Sequence, residues 1–139
     1  MFSKSSPGKS QKTPDDAVMP QNNDEAMLES LVTIAAEVFR LQKTLTSVLS
    51  RLDPMDQTKY SGQFSWFLKK SGKALDEAGV RILNLEGQNY DPGMAVTPLN
   101  IEEFEPEDSL YIEQMIEPVV MYSGSVRKTG TVLLGKEEE

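Results

Sequence analysis

Five carboxylates, Glu102, Glu103, Glu105, Glu107 and Asp108, fall within one short segment and form the densest chemically capable group in the chain. Clustered carboxylates hold a divalent cation, or trade a proton, when their spacing aims several oxygens at one point. A calcium loop needs an Asp-x-Asp-x-Asp-Gly run with a closing glutamate. Glu-Glu-Phe-Glu-Pro-Glu-Asp has neither feature and reads as a solvated acidic loop. The chain contains no histidine and no cysteine. The usual general base, the commonest metal ligand and every thiol reaction are therefore missing. No Gly-x-Gly-x-x-Gly run follows a strand, and no Gly-Lys-Ser/Thr phosphate loop occurs. Serines are plentiful, but nothing in the pattern positions a lysine to activate one. The residues thus point to a protein that is not an enzyme, with no cofactor and no metal, acting through its surfaces.

Composition narrows the kind of surface. Of 139 residues, 22 are acidic and 14 basic, for a net charge of −8. Such a chain repels phosphate backbones and anionic lipid, so neither nucleic acid nor membrane is an expected partner. The N-terminus lacks an apolar signal core, and no apolar run is long enough to span a bilayer. A soluble cytoplasmic protein is expected, and the lack of cysteine fits a reducing compartment.

The element that must position any such surface is a heptad helix. Met27, Leu31, Ile34, Val38, Leu41, Leu45, Val48 and Leu52 recur at alternating spacings of four and three. An unbroken 3.5-residue period lays one apolar ridge along a helix, and that ridge needs another helix to cover it. Leu28, Ala35 and Leu49 widen the stripe at e positions, with Val32 and Phe39 beside them at b, as in a bundle. Glu29, Lys43 and Ser50 at f, and Thr33, Arg40 and Ser47 at c, read as the solvent side. Either one monomeric bundle or a second copy would cover the ridge. With only one other good helix in the chain, homodimerisation through these eight residues is the expected arrangement. Few charges occupy e and g, so parallel and antiparallel pairings stay open.

Other elements come in order along the chain. Residues 1–21 are polar and lysine-bearing and are expected to be a disordered tail. Asn22 and Glu25 resemble a capping box for the heptad helix, and Asp53-Pro54 should stop it. A connector over 53–62 leads to a second helix over 63–78, with Phe64, Phe67, Leu68 and Leu75 on one face and Gly79 just past its end. Gly72 inside it would allow a close helix crossing. Trp66 lies off the main face, where packing on the first helix or contact with a partner are its two uses, packing being favoured. From Val80 the period changes to two. Short strands at 80–85, 94–97, 110–116, 119–122, 125–127 and 131–134 are broken by turns, including Ser123-Gly124. The fold class is therefore α+β: a helical dimerisation region over 22–79, a small antiparallel β domain over 80–136, and a charged tail over 137–139.

Several of these segments carry a resemblance. Ala78-Gly79-Val80, Tyr90-Asp91-Pro92, Ala95-Val96 and the hairpin from Pro118 through Val132 to Lys136 resemble, in order and spacing, the GrpE family of dimeric nucleotide-exchange factors. Val119-Val120 stand where that family has Gly-Tyr, Lys128 replaces an arginine, and Thr129-Gly130 replace Pro-Ala. The long helix is also shorter than in typical members. The resemblance implies a co-chaperone that packs its β domain on the nucleotide-binding domain of a DnaK-type chaperone, or a specialised relative of one, and speeds ADP release. By position the contact face would comprise Ile116, Met121, Tyr122, Arg127, Lys128 and Leu134. Period-two alternation alone leaves Ile116 and Leu134 evenly between that face and the core. The competing class is a coiled-coil adaptor whose β domain docks on an unrelated complex.

Overall fold

The structure is a computed structural model that describes residues 14–138. Helix α1 spans Pro14–Leu49 and α2 Pro54–Glu77. Six strands come after them: β1 Val80–Leu83, β2 Val96–Pro98, β3 Leu110–Glu117, β4 Val119–Tyr122, β5 Ser125–Lys128 and β6 Gly130–Lys136. A single 3₁₀ turn covers Ile101–Glu103. The α+β class expected from the sequence is the one observed.

The helix boundaries move. Helix α1 begins at Pro14 rather than Asn22, so part of the expected tail is helical, and the rest of it, residues 1–13, lies outside the described residues. Pro14-Asp15-Asp16 is itself a helix-start sequence, with proline ahead of two carboxylates. The helix ends at Leu49, which leaves Leu52 beyond it, in the link to α2. Asp53-Pro54 is less a stop than a start. The Asp53 carboxylate accepts the Asp56 N–H at 3.0 Å, and Pro54 takes the first helical position. An N-cap aspartate with proline at N1 outweighs the glycine at 62, and the expected connector becomes two turns of α2. The α2 exit is as anticipated: Gly79 adopts φ +83°, and its N–H bonds the Asp76 carbonyl at 2.9 Å. A Cβ at Gly72 would meet nothing within 4 Å, so no close crossing occurs there.

The described chain divides between Leu31 and Val32. Up to Leu31 it is helical, with Met27 exposed and Leu28 and Leu31 half-buried. From Val32 onward the chain carries the core. Phe39, Val96, Ile112, Met115, Val119, Val132 and Leu134 form one buried cluster. Each such side chain contributes about 1.5–3 kcal/mol by leaving water.

Two three-stranded sheets surround this cluster. One has the order β1-β4-β5 and is antiparallel throughout. The other has the order β2-β6-β3 and is mixed: β3 runs antiparallel to β6, whereas β2 runs parallel to it. The expectation of a wholly antiparallel unit is corrected at that one pair. A parallel partner needs a long crossover, and β3, β4 and β5 supply it. Ser123 (φ 49°) and Gly124 (φ 86°) make the two-residue turn between β4 and β5, with both residues left-handed as a hairpin of this length prefers.

Candidate partner-binding surface

Two surfaces carry the expected chemistry: the heptad ridge of α1 and the outer side of the β domain. On α1, Val32, Ala35, Ala36 and Phe39 are buried, and they sit at b, e and f positions rather than on the heptad seam. Lys43, one turn further, ion-pairs with Glu86 and donates to the Met115 carbonyl at 3.0 Å. The side read as solvated is thus partly the side that docks on the sheets. The seam lies beside it. Its d row is exposed, with Ile34 at 53% and Leu41 at 44%, and Met27 and Val48 similarly open. Its a row, Leu31, Val38 and Leu45, is half-buried, as is Leu52 past the helix end. Leu45 and Leu49 share a cleft with Phe64 and Leu68 of α2, and Gln57 caps the Leu49 carbonyl at 3.1 Å. One helix therefore has three faces: one on the sheets, one on α2 and one apolar row left open.

In the β domain the six expected contact residues separate. Leu134 is 1% exposed and belongs to the core, so it is withdrawn from the face. Alternation resolves it inward because Leu134 shares its side of β6 with Val132, two residues before it and also in the core. Met121 and Tyr122 are both half-buried but adjacent on β4, so they point to opposite sides of the sheet. Met121 lies opposite Arg81 of β1 and Val126 of β5, whereas Tyr122 lies opposite Val80 and Ser125. Tyr122 covers Gly79, where a Cβ would come 3.4 Å from its ring. The register slips between Val120 and Met121, which makes Arg127 the extra residue of a bulge and re-aims its side chain. Lys128 stands opposite Val120 and pairs with Glu117 at 3.7 Å, while Thr131 Oγ1 donates to the same carboxylate at 3.0 Å. Ile116 occupies a second bulge, between Met115 and Glu117 of β3, and is half-buried.

What the structure assembles instead is a row across three strands, Arg81, Met121 and Val126, in which Arg81 and Val126 are exposed while Met121 between them packs against the core cluster. Arg81 and Val126 were missed because only the strand pairing puts them beside Met121. The period-two pattern of β1 would have flagged Arg81 as outward once its partner was known. Val119 and Val120, which replace Gly-Tyr of the resembling pattern, are both buried. That departure repacks the interior rather than the surface.

The acidic segment is built as a turn. The Glu105 N–H donates to Asp108 Oδ2 at 2.9 Å, and Lys136 approaches Asp108 at 3.4 Å. The backbone hydrogen bond first, and then the lysine, hold the Asp108 carboxyl below its ordinary value. Beside it, Tyr90, Pro92, Ile101, Phe104 and Leu110 line an open cleft of about 330 Å³. Among the described residues, no three acidic side chains are grouped to hold a metal ion, and no helix is long and apolar enough to cross a membrane. No family model, curated protein or solved structure matches the chain.

Proposed function

We propose that the chain is a GrpE-like co-chaperone. Two copies pair along the α1 seam and present their β domains to a DnaK-type ATPase, or to a specialised relative of one, whose ADP release they promote. The observation that carries this reading is the division of labour on α1. Phe39 anchors the helix in the β-domain core while Ile34, Leu41 and Val48 keep an apolar row open. A helix built that way can join two protomers and hold each β domain rigidly at once. Exchange by this route needs no catalytic group. It needs a stiff face that prefers the open nucleotide cleft over the closed one. Arg81 and Val126, flanked by Arg127 and backed by the core-packed Met121, are the residues we assign to that face, arginine being a side chain favoured at interfaces.

The test is nucleotide release. A DnaK-type chaperone preloaded with fluorescent ADP should lose it faster when the protein is added, and Arg81→Glu with Val126→Asp, both at exposed positions, should abolish the acceleration. A second reading, an adaptor without exchange activity, is favoured by the separation of Tyr122 and Lys128 from Met121 across the sheet. Unchanged release from several such chaperones, with a dimer still present by light scattering, would select the adaptor.

A further inference from the structure

Trp66 is the chain's single tryptophan, and its side chain stands in solvent at 66% exposure rather than packing on α1. It belongs to a ridge. Met55, Lys59, Trp66, Lys69, Lys70 and Lys73 fall within about 100° of one another at 100° per residue, opposite Phe64, Leu68 and Leu75. Met55 is 82% exposed. The ammonium groups of Lys70 and Lys59 sit 5.6 Å and 5.3 Å from the ring centres of Trp66 and Tyr60. Between Gln57 and Leu75 the sequence has these four lysines and no acidic residue, in a chain whose net charge is −8. None of the four is ion-paired among the described residues. A protein this acidic that gathers four unpaired cations around its exposed tryptophan has a local charge opposite to its own.

We infer that this outer ridge of α2 docks an acidic amphipathic helix of a partner protein. Three features choose that occupant. The charge of the ridge calls for carboxylates. Its shape is a convex line about 27 Å long, along which a second helix can lie and a compact ligand cannot. Its apolar members, Met55 and Trp66, lie eleven residues apart, three turns of helix, so two leucine-class anchors on the partner reach them in turn. A nucleic acid or an anionic bilayer extends its negative charge well beyond the ridge, where the rest of this chain repels it. An acidic helix ends where the ridge ends. This surface is separate from the α1 seam, and although Lys69 and Lys73 share a cleft with Arg81, the Trp66 readout needs no chaperone, so the inference stands whether or not the exchange-factor reading holds.

The position of Trp66 makes the test direct, because its emission reports only this ridge. The full-length protein is titrated with a synthetic helical peptide in which glutamates flank a leucine seam. Saturable blue-shifted emission is expected. It should weaken about tenfold in Lys70→Glu with Lys73→Glu, and again when salt is raised, as short-range ionic contacts do. A peptide with lysines in place of the glutamates should leave the emission unchanged. The inference is overturned if the acidic peptide causes no shift up to about 1 mM, the edge of measurable weak binding. It is equally overturned if the charge-reversed variant binds as well as the parent protein, or if phosphatidylserine vesicles or oligothymidylate shift Trp66 where the peptide does not. Emission already blue-shifted in the peptide-free protein would mean that a second copy covers the ridge, and would also overturn it.

Discussion

Lys43 of α1 donates a hydrogen bond to the main-chain carbonyl of Met115 in β3 at 3.0 Å. The same ammonium pairs with Glu86, and Glu86 Oε2 accepts the Met115 N–H at 2.8 Å. Both polar groups of one peptide residue are thus satisfied by a lysine–glutamate pair reaching in from a helix and a loop. Met115 needs this help because a bulge comes directly after it, and ladder pairing is interrupted there. Replacing Lys43 with methionine keeps the aliphatic stem and removes the donor. The expected loss is about 1.5–3 kcal/mol, the usual scale for a hydrogen bond to a charged group. Urea denaturation measures it.

Acid should loosen the same joint. Partial burial raises the Glu86 carboxyl, but the hydrogen bond from Lys43, the Met115 N–H and the lysine charge outweigh it and hold the group below its ordinary 4.5. A carboxylate whose folded value is depressed binds fewer protons folded than unfolded. Its contribution is therefore complete above about pH 4.5 and fades as pH falls through the folded value. The urea midpoint of the native protein should drop on acidification below that pH. In Glu86→Gln this part of the drop should vanish, and in Lys43→Met it should be shallower, because only the Met115 N–H and Asn84 are left to lower the carboxyl.

The two faces of α1 should respond oppositely to substitution. Phe39→Ala empties a buried position in the core cluster and should cost about 3–5 kcal/mol. Leu41→Asp, two residues on, alters an exposed position and should leave the protomer folded. If the α1 seam pairs two copies as proposed, its effect should fall on assembly, giving a mass near 15.5 kDa by light scattering where a paired parent protein would give twice that. A Leu41→Asp protein that remains a dimer would place assembly elsewhere.

Glycines give a paired prediction with opposite signs. Gly72 lies in the interior of α2 with open space around it, so Gly72→Ala should stabilise by about 1 kcal/mol through helix propensity. Gly130 opens β6, where a Cβ would sit 2.7 Å from Met115 Cε and 3.0 Å from the Glu117 carbonyl oxygen. Gly130→Ala should therefore cost about 1–3 kcal/mol by overpacking. Thermal unfolding of the two variants should move in opposite directions from the parent.

Which of these features the sequence announced depends on how local they are. The Gly79 helix exit and the Ser123-Gly124 hairpin were legible because each rests on a left-handed residue at a fixed offset. The heptad row was legible as a periodicity, and the structure leaves its d positions open. Lys43, read as solvent-facing, docks on the sheets because a period shows that a face exists without showing which neighbour covers the face beside it, whereas Phe39, read as part of the flanking apolar row, is buried. Asp53-Pro54 carries two signals, a stop for the helix before it and a start for the helix after it, and the second prevailed. Trp66 was expected to pack because its area is large, yet the helix turns it away from Phe64 and Leu68. The contact face was the least legible part. Membership depends on register: Met121 and Tyr122 are neighbours in sequence and on opposite sides in space, while Arg81 and Val126 meet Met121 only after folding.

Strand β6 lies between β2 and β3 and comes later than both along the chain. Asn100 prolongs its pairing by giving one hydrogen bond to Leu134 and taking one from it, at 3.0 Å and 2.9 Å. During synthesis, then, β2 and β3 emerge with the seat between them vacant; the 87–90 segment pairs with the other side of β3, but β2 has no strand beside it until the stretch from Gly130 leaves the ribosome. A protein with this order closes its second sheet last, and a nascent chain halted before Gly130 leaves β2 without a strand to pair with.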